Sequence, residues 1–92
     1  MSIQVRMAAV IQKLTNNQKE FHSEGSNINE LISNLEKQFP GFKAQILAED
    51  NKVHQFLNIY VNDEDIRFIA NLDTEIKDGD TVSFLPALAG GN

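Results

Sequence analysis

The chain contains no cysteine and no tryptophan, only two prolines, and few bases: eight Lys and Arg against thirteen Asp and Glu in 92 residues. Each shortage excludes something. Without cysteine there is no disulfide, no thiolate nucleophile and no Cys-ligated zinc or iron–sulfur site. A net charge of −5 argues against a nucleic-acid partner, because neutralising phosphates takes clustered Lys and Arg. No apolar run approaches the roughly 18 residues of a membrane span. Met1-Ser2-Ile3-Gln4-Val5-Arg6 lacks the charged-then-apolar build of a signal peptide. The expectation is a small cytoplasmic domain with no nucleic-acid or membrane partner. Its single core is too small for a second lobe or a deep enclosed active site.

What is present is patterned. Ile3, Val5 and Met7 alternate with polar or small residues, the period-2 signature of a half-buried strand. The polar stretch Thr15-Asn16-Asn17-Gln18 interrupts and reads as part of a loose, exposed connection to a short second strand over Lys19–Ser23. Asn27 and Glu30 resemble an N-cap and its reciprocal acid. Behind them Ile28, Leu31, Ile32, Leu35 and Phe39 form one apolar stripe of an amphipathic helix that Pro40-Gly41 ends. Phe42, Ile46 and Leu47 predict a short helical turn, and Phe56–Val61 a strand with Leu57, Ile59 and Val61 on one face. Asn62–Asp65 reads as a turn with Ile66-Arg67-Phe68 returning. Thr81–Leu85 reads as the last strand, stopped by Pro86. This order predicts an α+β domain over residues 1–86: a mixed sheet on one main helix, as in the β-grasp or ubiquitin-like arrangement, with the first and last strands side by side at its centre. Residues 87–92 are expected to form a flexible tail.

Few residues offer chemistry of their own. His22 and His54 have no second ligand at helical spacing and read as surface histidines, so no metal site is expected. Asp63-Glu64-Asp65 lacks the spacing of a calcium loop, and the five glycines form neither a GxGxxG nor a Walker loop. No catalytic residue and no cofactor are expected. The acids are concentrated: residues 61–80 hold seven of them against Arg67 and Lys77, which accounts for the whole net charge of −5. They read either as solvated turns or as a field that steers a basic partner toward the C-terminus.

The chain closes on Gly90-Gly91-Asn92. A diglycine is either a frayed end or a segment suited to threading a narrow channel, because glycine tolerates backbone approach on all sides. Its setting narrows the choice. Asp78-Gly79-Asp80-Thr81-Val82-Ser83-Phe84-Leu85-Pro86-Ala87-Leu88-Ala89-Gly90-Gly91 resembles the ending of the MoaD/ThiS family of ubiquitin-like sulfur carriers. Phe56–Phe68 is similar to the longer branch that includes the sulfur carrier of a bacterial cysteine-synthesis pathway. The resemblance implies a protein co-substrate rather than an enzyme. In that family a ubiquitin-activating-type enzyme adenylates the terminal glycine with ATP, and a sulfur donor converts the acyl-adenylate to a thiocarboxylate. In the cysteine branch the acceptor is an activated serine on a pyridoxal-phosphate enzyme, a cysteine synthase, and a zinc metalloprotease cleaves the resulting adduct. By position the reactive carboxyl belongs to Gly91, with Gly90 giving clearance. Asn92 departs from the pattern and is expected to be trimmed. Alternation places Leu85, Asn58 and Tyr60 on the outward sheet face beside Pro86 and the tail, a plausible partner-docking surface. The alternative function is a ubiquitin-like modifier or a non-covalent interaction module.

Overall fold

Ile3, Val5 and Met7 do turn to one side: all three are buried while Arg6 between them is exposed. In the computed structural model, which describes residues 2–87, they belong to β1 (Ile3–Met7). A 3-10 helix (Ala9–Thr15) leads to β2 (Glu20–Ser23), followed by α1 (Ile28–Gln38), α2 (Phe42–Ile46), β3 (Leu57–Val61) and β4 (Glu64–Asp65). Two 3-10 turns, Ile66–Phe68 and Asn71–Asp73, precede β5 (Thr81–Pro86). The sheet order is β2-β1-β5-β3-β4. The central pair β1–β5 is parallel and every other pairing is antiparallel. The first and last strands therefore lie side by side at the centre, as the sequence predicts.

Register aligns the apolar positions. Val82 faces Val5 on one side and Val61 on the other, and Phe84 faces Met7 and Ile59. A slip of one residue would send this whole set to the solvent face, so burial itself fixes the pairing. Against that face sit Ile28, Leu31, Ile32 and Leu35 of α1, each no more than 1% exposed. Phe42 of α2 meets Phe84 edge-on at 5.6 Å. Asn27 caps α1 through its side chain, which accepts from the Glu30 N–H at 2.8 Å. The Glu30 carboxylate does not return to Asn27. It accepts from the N–H and hydroxyl of Ser26, at 2.9 and 2.6 Å, because Ser26 offers one oxygen two donors at once. Gly25 is required here: a Cβ at this position would lie 2.7 Å from the Leu31 backbone nitrogen.

Three local expectations are corrected. The segment after β1 is not a loose exposed loop. Its 3-10 helix leans Ile11 and Leu14 on the core and buries Thr15, whose hydroxyl is held at the Gln12 and Gln18 carbonyls. The return strand of the hairpin is Glu64–Asp65, after a two-residue turn at Asn62-Asp63 in which Asn62 takes φ 57. Ile66–Phe68 then winds into a 3-10 turn because the Asp65 carboxylate captures the Arg67 N–H. Finally, Pro86 does not stop the ladder. It lies opposite Leu57, and Ala87 beyond it donates to the Phe56 carbonyl at 2.8 Å. In this register residue 86 would direct its N–H toward β1, which has already ended at Met7, so the missing donor costs nothing there.

The core contact of α1 with the sheet is directly testable. Leu35→Ala is expected to cost about 2–5 kcal/mol, a large share of the stability of a small domain. Denaturant unfolding measures it, and a loss below about 1 kcal/mol would contradict this packing.

Candidate functional site

The site is built on the outward face of β3 and β5. With Val82 and Phe84 committed to the core, Thr81, Ser83 and Leu85 must point away, and the same alternation turns Asn58 and Tyr60 outward. The register then pairs them: Asn58 lies opposite Leu85, and Tyr60 opposite Ser83. Leu85 is 38% exposed, Asn58 and Tyr60 are half-buried, and Pro86 is exposed. The structure thus brings Leu85, Asn58 and Tyr60 together on one face, while Pro86 takes the parity of Val82 and Phe84, opposite buried Leu57, and borders that face instead of sharing it. Gly90, Gly91 and Asn92 lie outside the described residues.

A clasp that sequence reasoning missed braces this face. Arg67 donates through Nη2 to the Asn58 side-chain oxygen at 2.7 Å and to Asp65 Oδ2 at 2.8 Å, and through Nε to both Asp65 oxygens at 3.3 Å. Asp65 is buried opposite Tyr60 in the β3–β4 pair. Its hydrogen bonds from the Arg67 side chain hold its carboxyl below the ordinary value, against the opposing effect of burial. Asp65 in turn raises Arg67, with a smaller contribution from Tyr60. The clasp fixes Asn58, and so the rotamer next to Leu85. The Asp-x-Arg spacing was the available signal, since Asp commonly caps a tight turn two residues on.

Two more large apolar groups are exposed, and the carbonyl of one of them, Phe56, accepts from the N–H of Ala87, the last described residue. Phe56 shares the outward parity of Asn58 and Tyr60 and is 54% exposed, its ring stacked on His54 at 4.0 Å. His22 is exposed, as expected, but His54 is not a surface histidine: it is half-buried, and its Nδ1 is enclosed without a partner. The Phe56 ring covers one face of the imidazole. Val10 is 68% exposed on the 3-10 helix that follows β1. Among the described residues no group of three or more His, Cys, Asp or Glu is placed to hold a metal ion. No helix among them is long and apolar enough to cross a membrane. A face of this kind can hold a partner protein.

The ThiS family model matches residues 5–91. The sulfur carrier protein CysO of Mycobacterium tuberculosis (strain ATCC 25618 / H37Rv) is 40% identical over 93 residues, covering 99% of this chain and all of the relative. The crystal structure of Mycobacterium tuberculosis CysO, described as an antigen, superposes with a TM-score of 0.88 at 38% identity, over 94% of this chain and 99% of that one. CysO in the Amycolatopsis orientalis BexX/CysO complex gives 0.86 at 40% identity, over 97% and 99%. The fold is therefore the ubiquitin-like β-grasp.

The Asp65–Arg67 clasp is the part of this face that acid reaches. A carboxyl held below its unfolded value contributes stability that is present above that value and is lost as pH falls through the folded one. Asp65→Asn is expected to lower the melting temperature near neutrality, with the gap to wild type closing as pH falls through and below the ordinary carboxylate range. Thermal melts across that range check this, and a gap of constant size would contradict it.

Proposed function

The chain belongs to the ThiS family, and on that footing we propose that it is a sulfur-carrier protein acting through the carboxyl of Gly91. The observation that carries the reading is the matched span, residues 5–91, which closes on Gly91. The sequence leading there continues β5, whose Ala87 extension is still bonded to Phe56. In this reading a ubiquitin-activating-type enzyme joins the Gly91 carboxylate to the α-phosphate of ATP and releases pyrophosphate. Hydrosulfide or an equivalent donor then attacks the acyl carbon and expels AMP, which leaves a thiocarboxylate. The carrier works in the cytoplasm, delivering sulfur to a biosynthetic acceptor. We assign that acceptor to a pyridoxal-phosphate-dependent cysteine synthase, with a zinc metalloprotease releasing the product. The complex of CysO with BexX supports docking of a carrier of this fold on a partner protein.

Gly90 supplies clearance for the channel that reaches Gly91, since a residue without Cβ admits close backbone approach. Asn92 is removed first, because it follows the diglycine and the reactive carboxyl in this reading is that of Gly91. The adenylating enzyme docks on Leu85, Asn58, Tyr60 and Pro86. A partner that grips a chain end gains from a rigid surface beside it, and the affinity of such a surface concentrates in a few apolar or aromatic anchors.

Incubation with ATP, sulfide and the cognate adenylating enzyme tests the function. The expected product is the chain with one oxygen replaced by sulfur, read as the corresponding gain in intact mass. Isopeptide-linked larger species would instead indicate a modifier. Protein isolated from its native cell is expected to end at Gly91, and a chain that retains Asn92 yet forms thiocarboxylate would contradict the trimming. Leu85→Asp should fold normally and bind the adenylating enzyme at least tenfold more weakly, corresponding to about 1.4 kcal/mol. A folded variant with unchanged affinity would remove Leu85 from the docking surface.

A further inference from the structure

The seven acids of residues 61–80 divide into two groups. Four serve the fold: Asp65 holds Arg67, Asp73 accepts from Asn29, Asp78 accepts the Ser2 N–H, and Asp80 accepts from Lys77 and Asn62. The side chains of Asp63, Glu64 and Glu75 make no hydrogen bond or ion pair with any described residue. These three line one surface depression together with Val61, Asn62, Ile69 and Thr74, and Ile69 is its exposed large apolar side chain. Ile69 is 45% exposed, and Phe68 before it is 81% exposed, the highest value among the large apolar residues described.

Isolated exposed apolar side chains are ordinary, but two consecutive ones, the second of them set among unpaired acids, are a different feature. The backbone that displays it is held firmly. The Asp65 carboxylate accepts the Arg67 N–H at 2.9 Å, the Thr74 hydroxyl accepts the Ala70 N–H at 3.1 Å, and Ile69 donates to the Ile66 carbonyl at 3.0 Å. An anchor that is already ordered loses little freedom on binding. The patch adjoins the docking face along the chain. Phe68 follows Arg67, which reaches Asn58 at 2.7 Å, and Asn58 lies opposite Leu85. The Asn62-Asp63 turn, however, lies at the far end of β3 from Pro86: Val61 faces Val82 while Leu57 faces Pro86. Four residue steps along the strand separate the two ends, about 13 Å.

We infer that Phe68 and Ile69 form a second anchor for the adenylating enzyme, seated in an apolar socket of that enzyme bordered by Lys and Arg. The inference rests on the sulfur-carrier reading and extends its docking surface across the β3–β4 edge. One partner holding both the chain end and Phe68 spans the sheet, so the carrier is oriented by two separated points. The acidic rim meets the basic border of the socket, giving attraction that salt weakens.

Binding of the full chain to the cognate adenylating enzyme, measured by calorimetry at low and moderate salt, tests this. Phe68→Ser is expected to fold as wild type and lose at least tenfold in affinity. The double variant Glu64→Lys/Glu75→Lys should bind more weakly than Glu24→Lys/Glu49→Lys, which carries the same net charge, with the difference largest at low salt. Each sample is also assayed for thiocarboxylate formation. If wild type binds and is sulfurised while Phe68→Ser and the Glu64/Glu75 variant bind as tightly as their controls, this second anchor is overturned and the carrier reading stands. If wild type neither binds nor gains sulfur, the carrier reading falls and this anchor with it.

Discussion

Two strands from opposite ends of the chain, Ile3–Met7 and Thr81–Pro86, meet in parallel at the centre of the sheet. Everything between them is one long crossover, and most of the fold follows from having to close it. The shared inner face of this pair, Val5, Met7, Val82 and Phe84, needs cover, and α1 and α2 supply it. The outer neighbours β2 and β3 then add antiparallel, one on each side. Because loop closure must be completed before this pairing contributes, its stability depends on the whole core being assembled together.

The same pairing determines how the chain leaves the sheet. β1 ends at Met7 while β5 runs on to Pro86, so the last residues of β5 are bonded only to β3. Pro86 is compatible with that one-sided position, and Ala87 keeps one further bond to Phe56. The sequence heading for Gly91 thus departs from a strand anchored at the middle of the domain rather than from a loose edge. Leu85, fixed opposite Asn58, stands at the point of departure.

Much of this was legible in the residues. The alternation in β1, β3 and β5 and the apolar stripe of α1 are strong periodic signals, and they also dictated which of Leu85, Tyr60 and Asn58 faced outward. The failures have physical causes. Ile11 and Leu14 are three apart, a spacing that suits a 3-10 helix leaning on the core, but the polar residues after them suggested a loop. Ile66-Arg67-Phe68 alternates like a strand, yet a single capping carboxylate on Asp65 overrides that pattern. The Arg67–Asn58 contact depends on the register of β3 with β4, which no local pattern encodes. His54 was misread for a different reason: the ring of Phe56, only two residues on, stacks over it.

The central claim is that this fold serves one atom, the acyl carbon of Gly91. Tandem mass spectrometry of the chain recovered after treatment with ATP, sulfide and the adenylating enzyme tests it most directly. The account predicts that the oxygen-to-sulfur mass difference appears only on fragments containing Gly91 as the terminal residue, with fragments ending at Gly90 unchanged. Sulfur found on any other residue, or on a chain that still ends in Asn92, would contradict it.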